Sequence, residues 1–263
     1  VRVLPGVRNH MKLQDKNIVI TGAANGIGLA LAKRFLRESP NSISLIDINI
    51  SINKIASDLG VKGYVADVTN ENQFQSIINQ IIDCEGSIDL FCSNAGIQQF
   101  GTLETSADDW QKNWDVNVMS HVHAAKVLIP HMQSRKIGYL LLTVSAAGLL
   151  NMPSALTYAT TKHAAMGLAE NLSIMYGSDD IIVSALCPQL VDTNMVRSAE
   201  SLSDNHPLLK DGILPAEIVA DETVKGIDSE KFLILPHREV AKYIQGKAFD
   251  YDKWIHAVRK LVP

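Results

Sequence analysis

The sequence predicts an α/β protein built on a doubly wound parallel sheet of about seven strands, with helices on both faces. Short β-rich runs alternate with longer helical patterns along the chain, the pattern of right-handed strand–helix–strand units. The β-rich runs are continuously apolar, as in strands buried on both faces. The 263 residues, 46% hydrophobic and 20% charged, suit one large α/β domain or two small ones. No repeat, low-complexity segment or linker divides them, so one domain over 12–263 is expected.

Each element has its own signal. The first strand is expected at NIVIT (17–21), with GIGLALAKRFLRE as the following helix. SISLIDI (42–48) and GYVADV (63–68) are the next strands, and NENQFQSIINQIIDC is a helix. IDLFCSNAG (88–96) is the fourth strand. A long helix follows from Asp108 to about Ser134, opened by SADDWQ with Ser106 or Asp108 as its cap. YLLLTVS (139–145), IIVSALCP (181–188) and FLILP (232–236) complete the strands, with a helix from Ser154 to Tyr176 after the fifth. Residues 192–215 are irregular and polar, a candidate substrate lid. Residues 237–263 carry an amphipathic helical pattern through Tyr243, Phe249, Trp254, Ile255, Val258 and Leu261. Such a stripe covers either the chain's own pocket or a partner subunit. The first eleven residues lack the apolar core of a secretory signal and are set aside as a native or vector-derived tail.

Composition narrows the function. The net charge of -4 and pI of about 6.1 provide no basic face for nucleic acid. No apolar run reaches the roughly 20 residues of a membrane span. Cys84, Cys92 and Cys187 lie far apart without C-x-x-C spacing. They predict neither disulfides nor a zinc site, and a reducing, cytoplasmic setting. His121 and His123 are two apart on a predicted helix, so they diverge and no metal is expected. There is no P-loop, and TVSAA lacks the glycines of a hydrolase nucleophile elbow.

VITGAANGIGLA joins the first strand to the first helix. Gly22, Gly26 and Gly28 permit a tight turn and a close backbone approach to a pyrophosphate. The helix that opens there aims its unpaired N–H groups at the anion. Asn25 and Ile27 complete the cofactor-contacting loop. Asp47 ends the second strand, where a carboxylate accepts from both ribose hydroxyls of the adenosine. It would repel a 2′-phosphate, and neighbours Ala24, Asn25, Ile48 and Asn49 supply no base. NAD is therefore the expected cofactor, with Ile48 beside its adenosine.

YATTK places Tyr158 and Lys162 four residues apart, on one helix face about 5–6 Å apart at Cβ. A phenol titrates near pKa ~10, too high for proton transfer at neutral pH. An adjacent ammonium favours phenolate, so the pair reads as a tyrosine tuned for acid–base work.

The ordered motifs TGAANGIG (21–28), DV (67–68), SNAG (93–96), DVNV (115–118), Ser145, YATTK (158–162) and PQLVDT (188–193) resemble the short-chain dehydrogenase/reductase family over residues 13 to 236. The resemblance implies a Rossmann-like fold and the remaining roles. Lys162 binds the nicotinamide ribose, Ser145 holds the substrate oxygen, and Asn117 holds a water leading from Lys162 to solvent. Asp67 and Val68 flank the adenine, and Asn94, Ala95 and Gly96 line the cofactor. Pro188, Val191 and Thr193 approach the nicotinamide, the last two at its carboxamide. Gln189 departs from the family's usual Pro-Gly and brings a polar side chain toward the substrate. Small residues on the Tyr158 helix (Ala159, Ala164, Ala165, Gly167 and Ala169) suggest a homodimer contact, with a tetramer as the lesser option.

The sequence thus reads as an NAD-dependent oxidoreductase interconverting a secondary alcohol and a ketone or aldehyde. Leu149, Leu150, Met152, Gln189, Met195 and Leu202 are placed near a hydrophobic substrate. A dinucleotide-sensing regulator without catalysis is the alternative. The complete set of Asn117, Ser145, Tyr158 and Lys162 speaks against it.

Overall fold

In the structure, a computed structural model describing residues 11–197 and 210–260, every expected strand is present. The strands are β1 (Asn17–Thr21), β2 (Ser42–Asp47), β3 (Lys62–Val65), β4 (Leu90–Ser93), β5 (Gly138–Thr143), β6 (Ile181–Leu186), β7 (Val191–Asp192), β8 (Leu214–Pro215) and β9 (Leu233–Ile234). Seven form one parallel sheet in the order β3-β2-β1-β4-β5-β6-β9. β7 and β8 pair separately, Val191 opposite Leu214.

The continuous apolar runs are explained by packing on both faces. Ile18 and Ile20 face α1 (Gly26–Phe35), α2 (Ile52–Leu59) and α9 (Ala216–Asp228), through Leu31, Phe35, Ile52 and Val219. Val19, between them, faces α3 (Glu71–Glu85), α5 (Ser120–Arg135) and α7 (Leu156–Tyr176), through Phe74, Leu128 and Met166. The strand order reverses between β1 and β4, which opens a crevice at their carboxyl ends.

Several boundaries differ from expectation. Residues 66–68, 94–96, 144–145 and 187–188 leave the sheet as loops. They read as strand because Ala66, Val68, Val144 and Cys187 are buried all the same. The helix expected over 108–134 is α4 (Ala107–Trp114), a π turn (Asp115–Met119) and α5. Ser106 caps α4, its hydroxyl accepting from Asp109 N at 3.1 Å. Met11, assigned to the tail, is buried in the core and its N–H donates to Glu230 at 3.2 Å, so the folded region includes it. Leu202, half of the candidate lid (198–209), Leu261 and residues 1–10 lie outside the described residues.

The chain closes with α10 (Glu239–Phe249) and α11 (Tyr251–Arg259), after the short α6 (Ala147–Leu150) and α8 (Asn194–Arg197) earlier in the sequence. Of the small residues on α7 expected at a subunit contact, Ala159, Ala165 and Ala169 are buried inside the chain itself, while Ala164 and Gly167 are half-exposed. No helix among the described residues is long and apolar enough to cross a membrane. None of their His, Cys, Asp and Glu side chains form a metal-competent group. His121 shares a 2.6 Å hydrogen bond with Ser93 Oγ, and burial pushes its imidazole down to about 3. His123 Nδ1 lies 3.2 Å from the Val68 carbonyl.

Candidate active site

A cavity of about 1070 Å³ opens at the carboxyl ends of β1, β4, β5 and β6. Its inner end is the glycine loop. Gly22 and Gly26 have φ of +64° and +53°, which an L side chain rarely adopts. A Cβ on Gly22 would come within 2.8 Å of Ala95 Cα. Gly28 does not line the cavity. It lies beneath the loop, where a Cβ would overlap the Gly22 carbonyl oxygen and sit 2.8 Å from Asn94 Nδ2. Gly28→Ala is therefore expected to cost about 2–4 kcal/mol in urea unfolding, with cofactor affinity falling in parallel. Asn25 precedes α1 in extended geometry and makes no side-chain cap bond.

Asp47 holds this loop in place. Its Oδ2 accepts from Ala24 N and its Oδ1 from Asn49 N, each at 2.9 Å. A carboxylate oxygen has capacity for a second donor, so both can also receive ribose hydroxyls. Ile48, beside it, is exposed. Asp67 is held by Thr69, whose N and Oγ1 donate to Oδ1 at 2.9 and 2.7 Å, and Val68 follows it on the cavity wall. Asn94 ties three strands together. Its Nδ2 donates to Thr21 O at 3.0 Å, and its Oδ1 accepts from Thr143 Oγ1 at 3.0 Å. Ala95 and Gly96 continue the wall. A nicotinamide dinucleotide fits this cradle: a loop with glycines at its closest approaches, a helix N-terminus, a carboxylate and a partly apolar lining.

At the other end, Ser145, Tyr158 and Lys162 meet on the same cavity. Ser145 follows β5 with φ of +156°, a strained backbone of the kind found at functional sites. Its Oγ accepts from Ala147 N at 3.1 Å. Lys162 is buried and donates to Thr143 O at 3.0 Å, and burial pushes its ammonium down to about 8. Gly96 packs beside it, where a Cβ would lie 3.3 Å from Asn117 Oδ1 and 3.4 Å from Lys162 Nζ.

The expected phenol–ammonium pair is close in space, but burial dominates the phenol. Burial pushes the Tyr158 phenol above its ordinary range, and the counterweight is the Ser145 hydroxyl. Lys162 Nζ lies 5.7 Å from the Tyr158 ring centroid and gives one of its three N–H donors to the Thr143 carbonyl.

Asn117 sits in the π turn, fully buried and off the cavity wall. Its side chain accepts from Ile97 N at 3.0 Å and donates to Ile97 O at 2.9 Å and to Thr161 Oγ1 at 3.1 Å. It joins the loop after β4 to α7, and a π turn is the local distortion that accommodates such a link.

Pro188, Val191, Thr193, Met152, Gln189 and Met195 line the cavity as expected. Leu149 does not: it packs on the core, while Leu150, also expected near the substrate, lines the cavity. Gln189 N donates to His237 Nδ1 at 3.2 Å, and its side-chain oxygen is buried with no partner among the described residues. Tyr243, Trp254 and Val258 of the C-terminal stripe also line the cavity. Part of the stripe thus covers the chain's own pocket, while Phe249 and Ile255 stay exposed.

Comparison with known proteins agrees. The family model for short chain dehydrogenases matches residues 16–203. The chain is 36% identical over 194 residues to the oxidoreductase UcpA of Escherichia coli (strain K12), covering 71% of this chain and 73% of that protein. It is 32% identical over 189 residues to meso-2,3-butanediol dehydrogenase of Serratia marcescens, covering 70% and 75%. The crystal structure of a short chain dehydrogenase/reductase from Burkholderia phymatum in complex with NAD superposes with a TM-score of 0.82 at 28% identity, covering 92% of this chain and 96% of that one. The chain belongs to the short-chain dehydrogenase/reductase family and has its Rossmann-like fold. It is an oxidoreductase of that family.

Proposed function

We propose that the protein is an NAD-dependent dehydrogenase/reductase that interconverts a hydrophobic secondary alcohol and its ketone, or an alcohol and its aldehyde. The convergence of Ser145, Tyr158 and Lys162 on the cavity that holds the dinucleotide cradle carries this reading. When bound, the dinucleotide supplies the hydride acceptor for oxidation or the donor for reduction. Tyr158 Oη takes the carbinol proton during oxidation and returns one to the carbonyl oxygen during reduction. Ser145 Oγ donates a hydrogen bond to the substrate oxygen and holds it against Tyr158. Lys162 binds the nicotinamide ribose, and its positive charge favours the phenolate when Tyr158 is deprotonated. Asn117 fixes the loop at Ile97 and the helix bearing Tyr158 and Lys162. The butanediol dehydrogenase relative supports alcohol–ketone chemistry.

Asp47 supports NAD over NADP, since a 2′-phosphate would meet its carboxylate. Asp47→Ala is expected to narrow the NAD/NADP ratio of kcat/KM by about 100-fold. The proposal as a whole is tested by NADH absorbance with a panel of secondary alcohols and ketones, using each dinucleotide in turn. Turnover with NADP alone overturns the cofactor assignment, and no turnover with either overturns the activity. The same reading takes the enzyme to be a cytoplasmic homodimer, supported by Ile174 and Met175 exposed on α7. Sedimentation equilibrium giving a monomer mass refutes the dimer.

A further inference from the structure

We propose that the C-terminal pair α10–α11 is the substrate-selecting wall of the active site, with Trp254 the specificity-determining residue and Lys247 its positioning residue. This rests on the dehydrogenase reading above and adds a substrate class: alcohols and ketones whose carbinol or carbonyl carbon lies in an apolar ring.

The wall is tied to the catalytic end of the cavity. α6 begins two residues after Ser145, and Lys247 Nζ donates to the carbonyl of Leu149 in α6 at 2.7 Å. The same ammonium lies 4.7 Å from the Trp254 ring centroid and 5.3 Å from that of Tyr251. One cation therefore fixes α10 to the Ser145 segment and the indole of α11 to α10. Cation–π pairing at half-buried positions is worth about 1–2 kcal/mol, enough to hold a ring in one orientation. A second tie comes from Tyr243, whose phenol donates to the Asp211 carboxylate at 2.9 Å. Asp250 separates the helices and caps α11, accepting from Lys253 N at 2.9 Å.

The chemistry of this wall differs from that of the cofactor cradle. Trp254 and Val258 line the cavity from the C-terminal side, and Leu150 and Met152 line it from the Ser145 side. These four supply apolar surface without a charge, and a flat indole held by its own cation is suited to contact a ring. An acyclic chain of few carbons would leave that surface wet.

The test uses the full chain and a ladder of ketones and alcohols from 2-butanol through cyclohexanol to bicyclic secondary alcohols. Trp254→Ala is expected to lower kcat/KM for cyclohexanol by about 30-fold, while 2-butanol and the NAD dissociation constant change less than about threefold. Lys247→Met is expected to show the same selective loss, and Lys247→Arg to restore it, because a guanidinium can also donate to Leu149 O and stack on the indole. An equal loss on every alcohol, or no loss, overturns the proposal and leaves the dehydrogenase reading intact. Binding is read separately in a Trp110→Phe/Trp114→Phe background, where cyclohexanone should quench Trp254 fluorescence in the presence of NADH. Quenching without turnover would support the wall and sink the dehydrogenase reading. Neither quenching nor turnover with any member of the ladder overturns both.

Discussion

Tyr158→Phe is expected to lower kcat by about 10³-fold or more, with NAD affinity within about twofold of wild type. Positioned acid–base groups contribute about 10²–10⁴-fold, and the phenol is the proton carrier in this mechanism. The substitution removes one oxygen from a buried ring and leaves the glycine loop, Asp47 and Lys162 untouched. Stopped-flow hydride transfer and fluorescence titration of NADH separate the two effects. Equal turnover in the variant would remove Tyr158 from the chemistry. Burial holds the phenol high in the free enzyme, so oxidation by wild type should accelerate as pH rises from neutrality. The variant should lose that slope.

Lys162→Met is expected to abolish most activity and yet stabilise the fold. The Lys162 ammonium is pushed from an ordinary 10.5 to about 8 by burial. Between those values the unfolded chain binds more protons than the folded one, so stability rises with pH across that window. Below pH 8 the full cost applies, about 3 kcal/mol for a shift of this size. Methionine removes the charge but leaves the Thr143 carbonyl without its donor, which costs about 1 kcal/mol. The net gain is about 2 kcal/mol at pH 7, or a rise in Tm of about 4–8 °C. Thermal melts at pH 7 and pH 10 test this. A variant no more stable than wild type at pH 7 would show that the buried ammonium costs no more than the bond it makes to Thr143 O.

The sheet was legible because its central apolar runs bury two faces, so composition marks them, whereas the edge strand β3 is half-exposed. Their ends were not legible, since Ala66, Val68, Val144 and Cys187 stay buried in loops that have already left the sheet. The glycine loop and the Tyr158–Lys162 pair could be read because short-range geometry defines them. Where the Lys162 ammonium donates within the chain could not be, because its acceptor, Thr143 O, comes from a different element 19 residues away. Leu149 and Leu150 are equivalent in composition, and the turn of α6 alone decides which faces the cavity. The C-terminal wall was visible as a stripe, while its destination depended on Lys247 reaching Leu149, a contact across 98 residues.

Asp47 Oδ2 also holds Ala24 N in the phosphate loop. The atom that would discriminate between cofactors is thus a tether for the segment that grips both of them. Exchanging it for a neutral residue to admit a phosphorylated cofactor would loosen the grip on either. A laboratory or natural lineage that switches cofactor at this position must therefore supply a new acceptor for Ala24 in the same step, because the two traits are coupled and will not change one at a time.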